Sequence, residues 1–552
     1  MEQNKKKASN FLAQGSILAV SGIIVRVIGL IYQIPVINII GDQGNGYYSV
    51  AFDIYNVALI LSSYSLPLAV SKLMAARNVK KEYRESYRIF VCALAFAIVS
   101  GLLMAAIIYF GANFLAVRIF NMQGVSIPLK VLSPCIFVCA VLGVFRGLYQ
   151  GRQTMIPTAI SQVIEQLVNA VVSIVAAKIL MTKYASDINA PAYGAAGSTL
   201  GTTCGAIAGL LFVLLVYIMY RPTMMRQISR ESRRKGGVVE EESYGYILKL
   251  LIWTILPIIL SQCIYQVSTV IDSSMFNHIM SKKGMDEDTR SALLGISSKY
   301  RTLINVPIAI SQAIATSMVP SIVAATVRGG ADDVRAKVHA AVKFNMLIAI
   351  PSSVGMGVLA KPILMTLFPR STTTAFQALA AGSVAIVFYA LSTVTTGALH
   401  GISKMRIPVI HSAISLAIHL VLVYVLLKFT NFGLFALVIG NITFPLAMVI
   451  LNWKAVHDAL DYHQELINTF IKPAAASLVM GIAAKLVFLL FFRIYPSYAV
   501  ATVLAVCAGV VVYALMLLLL GALTEEELHR LPMSGRLIAI QRRCSRLMHR
   551  SS

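Results

Sequence analysis

The chain has 552 residues, of which 58% are apolar and only 13% charged, and its mean hydropathy is +0.77. Soluble domains carry about 25% charged residues, so this composition cannot cover a water-facing surface and excludes a soluble enzyme, a disordered chain and a conventional nucleic-acid binder. Lys and Arg number 47 against 23 Asp and Glu, a net charge of +24; in a membrane protein this reads as basic loops facing anionic lipid, with no nucleic-acid partner.

A spanning helix needs about 20 mostly apolar residues, and about fourteen such runs follow one another. The first lies near 13–40, behind Lys5, Lys6 and Lys7, which favour a cytoplasmic N-terminus. It is too long for the apolar core of a cleavable signal and lacks an Ala-x-Ala exit. Runs near 47–75, 88–112, 126–148, 157–181 and 193–220 complete an N-terminal lobe, residues 1–225. A charged stretch containing RQISRESRRKGGVVEEE then reads as a cytoplasmic linker, 226–245. Runs near 246–280, 292–327, 338–359, 373–399, 407–428 and 433–456 form a C-terminal lobe, 246–457. Two more, near 468–492 and 497–521 within the segment 458–521, are an addition to the lobes. A basic cytoplasmic tail, 522–552, reads either as an amphipathic surface helix or as a solvated end. Pro35, Pro67, Pro257, Pro307 and Pro320 are candidate bends. Lys and Arg are roughly threefold more abundant on the segments that alternation puts inside. The chain is therefore expected to be an all-α, multi-pass plasma-membrane protein with both termini cytoplasmic.

The lobes look alike. Gly147-Leu-Tyr-Gln-Gly151 followed by Pro157 matches Gly397-Ala-Leu-His-Gly401 followed by Pro408. Pro67 in SLPLAVS matches Pro320 in SMVPSIV, and the pair Gly194 and Gly201 matches Gly433 and Gly440. The first two matches share an offset of about 250 residues, and an even number of spans separates the copies. That implies a parallel repeat about an axis along the membrane normal, two pseudo-symmetric lobes of six helices, as alternating-access transporters use.

Polar residues inside the spans are costly, at least ~2.5 kcal/mol for a charge at the bilayer centre, so they should face a bundle interior or a water-filled cavity. On the first span Gly22, Arg26, Gly29 and Gln33 share a face; on the second Asp53 and Asn56 do. The fifth carries Ser161, Gln162, Glu165, Gln166, Asn169 and Ser173. The seventh carries Gln262, Gln266, Thr269, Asp272 and Ser273, and the eighth Lys299, Arg301, Asn305, Gln312 and Thr316. These groups are either structural hydrogen bonds and ion pairs or the wall of a substrate chamber. Arg26, Lys299 and Arg301 are the candidate head-group ligands, because guanidinium recognises phosphate bidentately and a chamber with excess cation calls for an anionic ligand. Gln33, Asp53 and Asn56 are further cavity candidates. Glu165 and Asp272 are candidate coupling groups, with Gln266 and Asn305 as polar neighbours. His411 and His419 share a face of span eleven and read as hydrogen-bonded bundle histidines, with a proton relay as the other reading.

No Walker A pattern, HExxH or GxSxG occurs in a plausible context, so no enzyme activity and no ATP coupling is expected. Seven cysteines without a CxxC pair indicate neither a disulfide framework nor a cysteine zinc site. No cofactor is expected beyond a coupling cation, Na+ or H+.

Several segments resemble a known family. Val25-Arg26-Val-Ile-Gly29-Leu-Ile-Tyr32-Gln33-Ile-Pro35, Gly44-Asn-Gly-Tyr47-Tyr48 and Leu66-Pro67-Leu-Ala-Val-Ser71-Lys72 resemble bacterial polysaccharide flippases of the stage V sporulation protein B type. So do Arg146-Gly-Leu-Tyr-Gln-Gly151, Pro157-Thr-Ala-Ile-Ser161-Gln162 and Leu303-Ile-Asn305-Val-Pro307. The similarity runs over roughly residues 10–520 and implies the multidrug/oligosaccharidyl-lipid/polysaccharide exporter superfamily, which includes the MurJ-type lipid II flippases. It implies two lobes around a cationic central cavity, a lipid-tail groove formed by the last two helices, and export of an undecaprenyl-pyrophosphate-linked sugar from the inner to the outer leaflet. Arg26 matches the family's first-helix arginine; Tyr32 stands where Gram-negative MurJ proteins have a second one.

The expected function is thus a monomeric flippase for a lipid-linked anionic saccharide, with lipid II the preferred substrate, working among membrane lipids and beside the cell-wall synthesis machinery. The alternatives are export of another polysaccharide or teichoic-type precursor, a cation-coupled multidrug exporter, and a membrane-embedded glycosyltransferase or polymerase. The last would call for a long outer loop, and the longest here, near 281–291 and 182–192, are short.

Overall fold

The computed structural model describes residues 2–234 and 242–523. They form sixteen α-helices joined by short turns, with no strand among them. In chain order these are α1 (Glu2–Leu59), α2 (Leu66–Val79), α3 (Tyr83–Phe114), α4 (Ser126–Gly151), α5 (Ile156–Lys183), α6 (Ala190–Arg234), α7 (Tyr244–Lys282) and α8 (Glu287–Val327). Then come α9 (Ala331–Val358), α10 (Ala360–Leu367), α11 (Thr373–Gly382), α12 (Ala385–Gly401), α13 (Arg406–Phe429), α14 (Leu434–Leu460), α15 (Lys472–Ile494) and α16 (Tyr498–Leu519).

Twelve helical stretches among the described residues are long and apolar enough to cross a membrane. The first, Val20–Val79, is 60 residues long and is two of the expected spans joined end to end. The joint is Gly41, whose φ of 71° and ψ of −176° are open to glycine and strained for other residues. The break thus falls at Gly41, whereas Pro35 stays within the helix. Pro67 sits at the start of α2, where a missing N–H costs nothing, and Pro307 and Pro320 are inside α8. With α7, whose described apolar part is Tyr244–Leu256, the helices account for the fourteen spans read from the sequence.

By internal packing the chain divides into two compact units, up to Gly295 and from Ile296 onward. The division lies inside α8, so α7 packs with the first unit, on α1, α2 and α3. The linker expected over 226–245 is partly helical: α6 continues through Arg234, because 226–234 contains no helix breaker, and residues 235–241 lie outside the described residues. Its described ends are tied to the α2–α3 turn. Glu231 accepts from the Arg84 amide at 2.9 Å, and Arg77 pairs with both Glu82, at 3.2 Å, and Glu242. The expected basic tail lies outside the described residues beyond residue 523.

The sequence repeat has a counterpart in packing inside each unit. In the first, a β-carbon on Gly147 of α4 would meet Val70 at 2.8 Å and the Pro67 carbonyl at 2.9 Å. In the second, a β-carbon on Gly401 of α12 would meet Ile322 of α8 at 2.4 Å, while one on Gly397 would lie at ordinary contact distance, 3.4 Å, from the Ala315 carbonyl of the same helix. The matching glycines therefore seat the same kind of helix pair twice. The first unit's core then gathers around Phe90, Phe145, Leu148 and Tyr149.

Candidate functional site

On α1 the spacing of Gly22, Arg26, Gly29 and Gln33 stacks them along one side. Gly29 lies close to α5, where a β-carbon would come within 3.2 Å of Gln166 Nε2. One residue before Gln33, Tyr32 is buried, and its hydroxyl accepts a hydrogen bond from Asn169 Nδ2 at 3.2 Å. Arg26 itself is exposed beside the exposed Ile23 and Val27, and among the described residues it has no ion-pair partner. Gln33, Asp53 and Asn56 are half-buried.

The polar stripe of α5 is divided among three neighbours. Arg146 of α4 donates from Nη2 to Glu165 Oε2 at 2.6 Å and from Nε to Ser161 Oγ at 3.0 Å. Further along, Ser173 Oγ donates to Asn169 Oδ1 at 2.9 Å or to the Ser198 carbonyl of α6 at 2.8 Å. Between them Gln166 faces α1. Glu165 is thus engaged by the cation that precedes the GLYQG motif, a pairing that no spacing in the sequence indicates.

Gln266 and Asp272 on α7 are half-buried. At the far end of α7 and the start of α8, several polar contacts converge on residues 42–49 of α1. Asn45 Nδ2 donates to the Gly295 carbonyl at 2.8 Å, and Ser291 Oγ donates to the Gln43 carbonyl at 2.7 Å. Gln43 Nε2 donates to Asp288 Oδ1 at 2.6 Å. Glu287 accepts from the Gln123 and Gly124 amides, both at 3.0 Å, while Arg290 Nη1 donates to the Asn121 and Asn277 carbonyls at 2.9 and 3.1 Å. Gly46 and Gly295 allow this closeness: β-carbons there would lie 1.9 Å from the Ser291 and Asp42 carbonyl oxygens respectively. Asp286 caps the start of α8, accepting from the Thr289 amide at 2.9 Å and the Thr289 hydroxyl at 2.8 Å, and that amide bond holds its carboxyl below the usual range.

In the second unit Lys299 and Arg301 do not share a face. Two residues along a helix turn the side chain by roughly 200°. Lys299 is 3% exposed, with Nζ 5.1 Å from the centre of the buried Phe368 ring. Arg301 is half-buried on the side that carries the exposed Asn305, Gln312 and Thr316. Phe368, between α10 and α11, had no signal in the sequence. Both histidines of α13 are hydrogen-bonded to α14: His411 Nδ1 to Asn452 Oδ1 at 2.8 Å, and His419 Nδ1 to the Gly440 carbonyl at 2.9 Å.

Residues 11–325 match the family model described as polysaccharide biosynthesis protein. The chain belongs to that family. A second model, MatE, matches residues 257–425. Among relatives of the family, stage V sporulation protein B of Bacillus subtilis is 23% identical over 541 residues, covering 96% of this chain and 99% of the relative. Lipid II flippase MurJ of the same organism is 25% identical over 546 residues, covering 95% and 98%. The solved structure of lipid II flippase MurJ in an inward closed conformation superposes with a TM-score of 0.62 at 15% identity, over 90% of this chain and 97% of that one. The fold is therefore that of a polytopic membrane protein of the flippase type, and of these relatives MurJ carries the name of a flippase rather than of an enzyme.

Proposed function

We propose that the chain moves an undecaprenyl-pyrophosphate-linked cell-wall precursor, with lipid II the preferred substrate, from the inner to the outer leaflet of the plasma membrane by alternating access. The observation that carries this reading is Arg26: an exposed guanidinium on a membrane-spanning helix, with no counter-charge among the described residues. In hydrocarbon such a group costs at least ~2.5 kcal/mol, so it requires water or an anion, and a pyrophosphate supplies two acceptor groups to its planar fork. Arg301, with Asn305 on the same side of α8, is the second cation we assign to the head group; Gln33, Asp53 and Asn56 are the polar groups we assign to the sugar. Asp272, with Gln266 on the same helix, and Glu165, paired with Arg146 at 2.6 Å, are the proposed coupling groups for Na+ or H+. Cytoplasmic termini are part of the proposal, supported by the basic residues of the alternate loops, and cell-wall synthesis enzymes are the proposed partners of a monomeric carrier.

The test is purified protein in proteoliposomes carrying lipid II, with the leaflet of each molecule read by a membrane-impermeant reagent. Wild-type protein is expected to equilibrate or accumulate lipid II across the bilayer, Arg26→Ala to abolish this while remaining folded, and Arg26→Lys to retain part of it. Undiminished flipping by Arg26→Ala removes the assigned head-group site. A second reading, a cation-coupled multidrug exporter, is favoured by the MatE match over residues 257–425. It gains if wild-type protein leaves lipid II in place but extrudes cationic dyes down an imposed ion gradient.

A further inference from the structure

At the end of α14, three potential metal ligands from seven consecutive residues come together: His457, Asp461 and His463. Helix α14 stops at Leu460, and Asp461 adopts a left-handed conformation, φ 48° and ψ 45°, with its N–H donating to the His457 carbonyl at 2.7 Å. This reversal carries the chain back over the last turn of the helix, so that the His463 ring meets the His457 ring edge to face at 4.7 Å, inclined by 88°. Each of the three residues offers one ligand atom, and these atoms all lie within 4.8 Å of one another.

A second observation concerns the imidazole of His457. Its Nδ1 lies 3.1 Å from the Tyr462 carbonyl oxygen. A carbonyl only accepts, so this contact selects the tautomer with the proton on Nδ1 and leaves the lone pair of Nε2 for a ligand bond. Donation of the non-ligating ring N–H to a carbonyl is the support that metal-binding histidines characteristically have. By contrast His339, the other histidine near this turn, is engaged elsewhere, with Nε2 3.8 Å from Glu465 Oε2 and Nδ1 beside the Tyr462 hydroxyl and the Gln464 amide.

We propose that His457, Asp461 and His463 bind one divalent transition-metal ion of the zinc type. Two imidazoles and one carboxylate suit Zn2+, Co2+, Ni2+ or Cu2+; Ca2+ and Mg2+ favour all-oxygen sets. Three protein ligands leave a fourth tetrahedral position for water. Bonds of about 2.0–2.1 Å place tetrahedral ligand atoms roughly 3.4 Å apart, so the three groups must close in by about 1.4 Å at most. Asp461 and His463 are both exposed. The ion would clip the turn 461–466 to the end of α14, and that turn leads from the last helix of the six-helix lobe to α15 and α16. None of the three residues has a part in the transport reading, so this inference stands or falls apart from it.

The test uses full-length protein in detergent, freed of any histidine tag and stripped with a chelator. Equilibrium dialysis against Zn2+ followed by metal analysis is expected to find one tightly held equivalent, lost on His457→Ala, His463→Ala or Asp461→Ala and retained on His339→Ala. Loading with Co2+ is expected to give the intense visible bands of a four-coordinate site, absent in the first three variants. Elution of every variant at the wild-type volume separates loss of a ligand from loss of the fold. Failure of wild-type protein to hold Zn2+ above the level of the His457→Ala/His463→Ala double variant overturns the proposal, as does Zn2+ binding that survives both single histidine substitutions.

Discussion

Arg146 reaches across from α4 to Glu165 on α5, Nη2 to Oε2 at 2.6 Å, while its Nε donates to Ser161. The pair is only partly shielded, with side chains 14% and 28% exposed, but both helices are long apolar spans. Removing one partner leaves the other charge without its counter-ion, and that loss exceeds the worth of the pair itself. Glu165→Ala is therefore expected to lower stability by about 2 kcal/mol, below the range for fully buried pairs because of the residual exposure. Arg146→Met combined with Glu165→Leu is expected to recover most of it, because two apolar side chains need no counter-charge. Thermal unfolding of the detergent-solubilised variants reads both; a double-variant loss equal to the sum of the Arg146→Met and Glu165→Leu losses would show that the two residues do not act as a unit.

Gly46 lies so near the first turns of α8 that a β-carbon would sit 1.9 Å from the Ser291 carbonyl oxygen and 2.6 Å from the Ser291 hydroxyl. Backbone cannot step aside as the end of a side chain can, so Gly46→Ala forces the two segments apart and strains the Asn45–Gly295 and Ser291–Gln43 hydrogen bonds. The expected cost is about 1–3 kcal/mol, as for other overpacked sites. Gly22→Ala is the control: nothing lies within 4 Å of a β-carbon there, and alanine favours the helix by up to ~1 kcal/mol. Hydrogen exchange at residues 42–49 and 287–295 distinguishes the two, with faster exchange expected only in the Gly46 variant.

Span number and polar faces were legible because they depend on periodicity along one chain. Apolar runs of bilayer length mark the helices, and four-residue spacing puts Ser161, Glu165 and Asn169 on one side of α5. The repeat was legible for a related reason: Gly151 and Gly401 hold the same kind of close helix contact, which only a missing side chain permits. Partners were not legible. That Arg146 takes Glu165, or that Phe368 covers Lys299, depends on which helices become neighbours, and no spacing within one helix encodes that. Helix α6 runs into the expected linker, to Arg234, because Arg and Glu are good helix formers and Glu231 is held by the Arg84 amide.

Lys299 and Arg301, two residues apart on α8, differ in burial and in the side they face. Lys299 is 3% exposed, with its ammonium 5.1 Å from the Phe368 ring centre, a distance at which a desolvated cation gains from the aromatic face. Arg301 points to the side shared with Asn305, Gln312 and Thr316, all exposed. Lys299→Ala is thus expected to lower the unfolding temperature, and Phe368→Ala to lower it similarly, because either change leaves a cavity and strips the other group of its partner. Arg301→Ala is expected to weaken lipid II transport per folded molecule, and Arg301→Lys to restore it in part, since an ammonium keeps the charge but not the bidentate fork. Unfolding and transport measured on the same preparations decide the matter: a destabilised Arg301→Ala with intact transport per folded molecule would reverse the two assignments and move the head-group contact away from this side of α8.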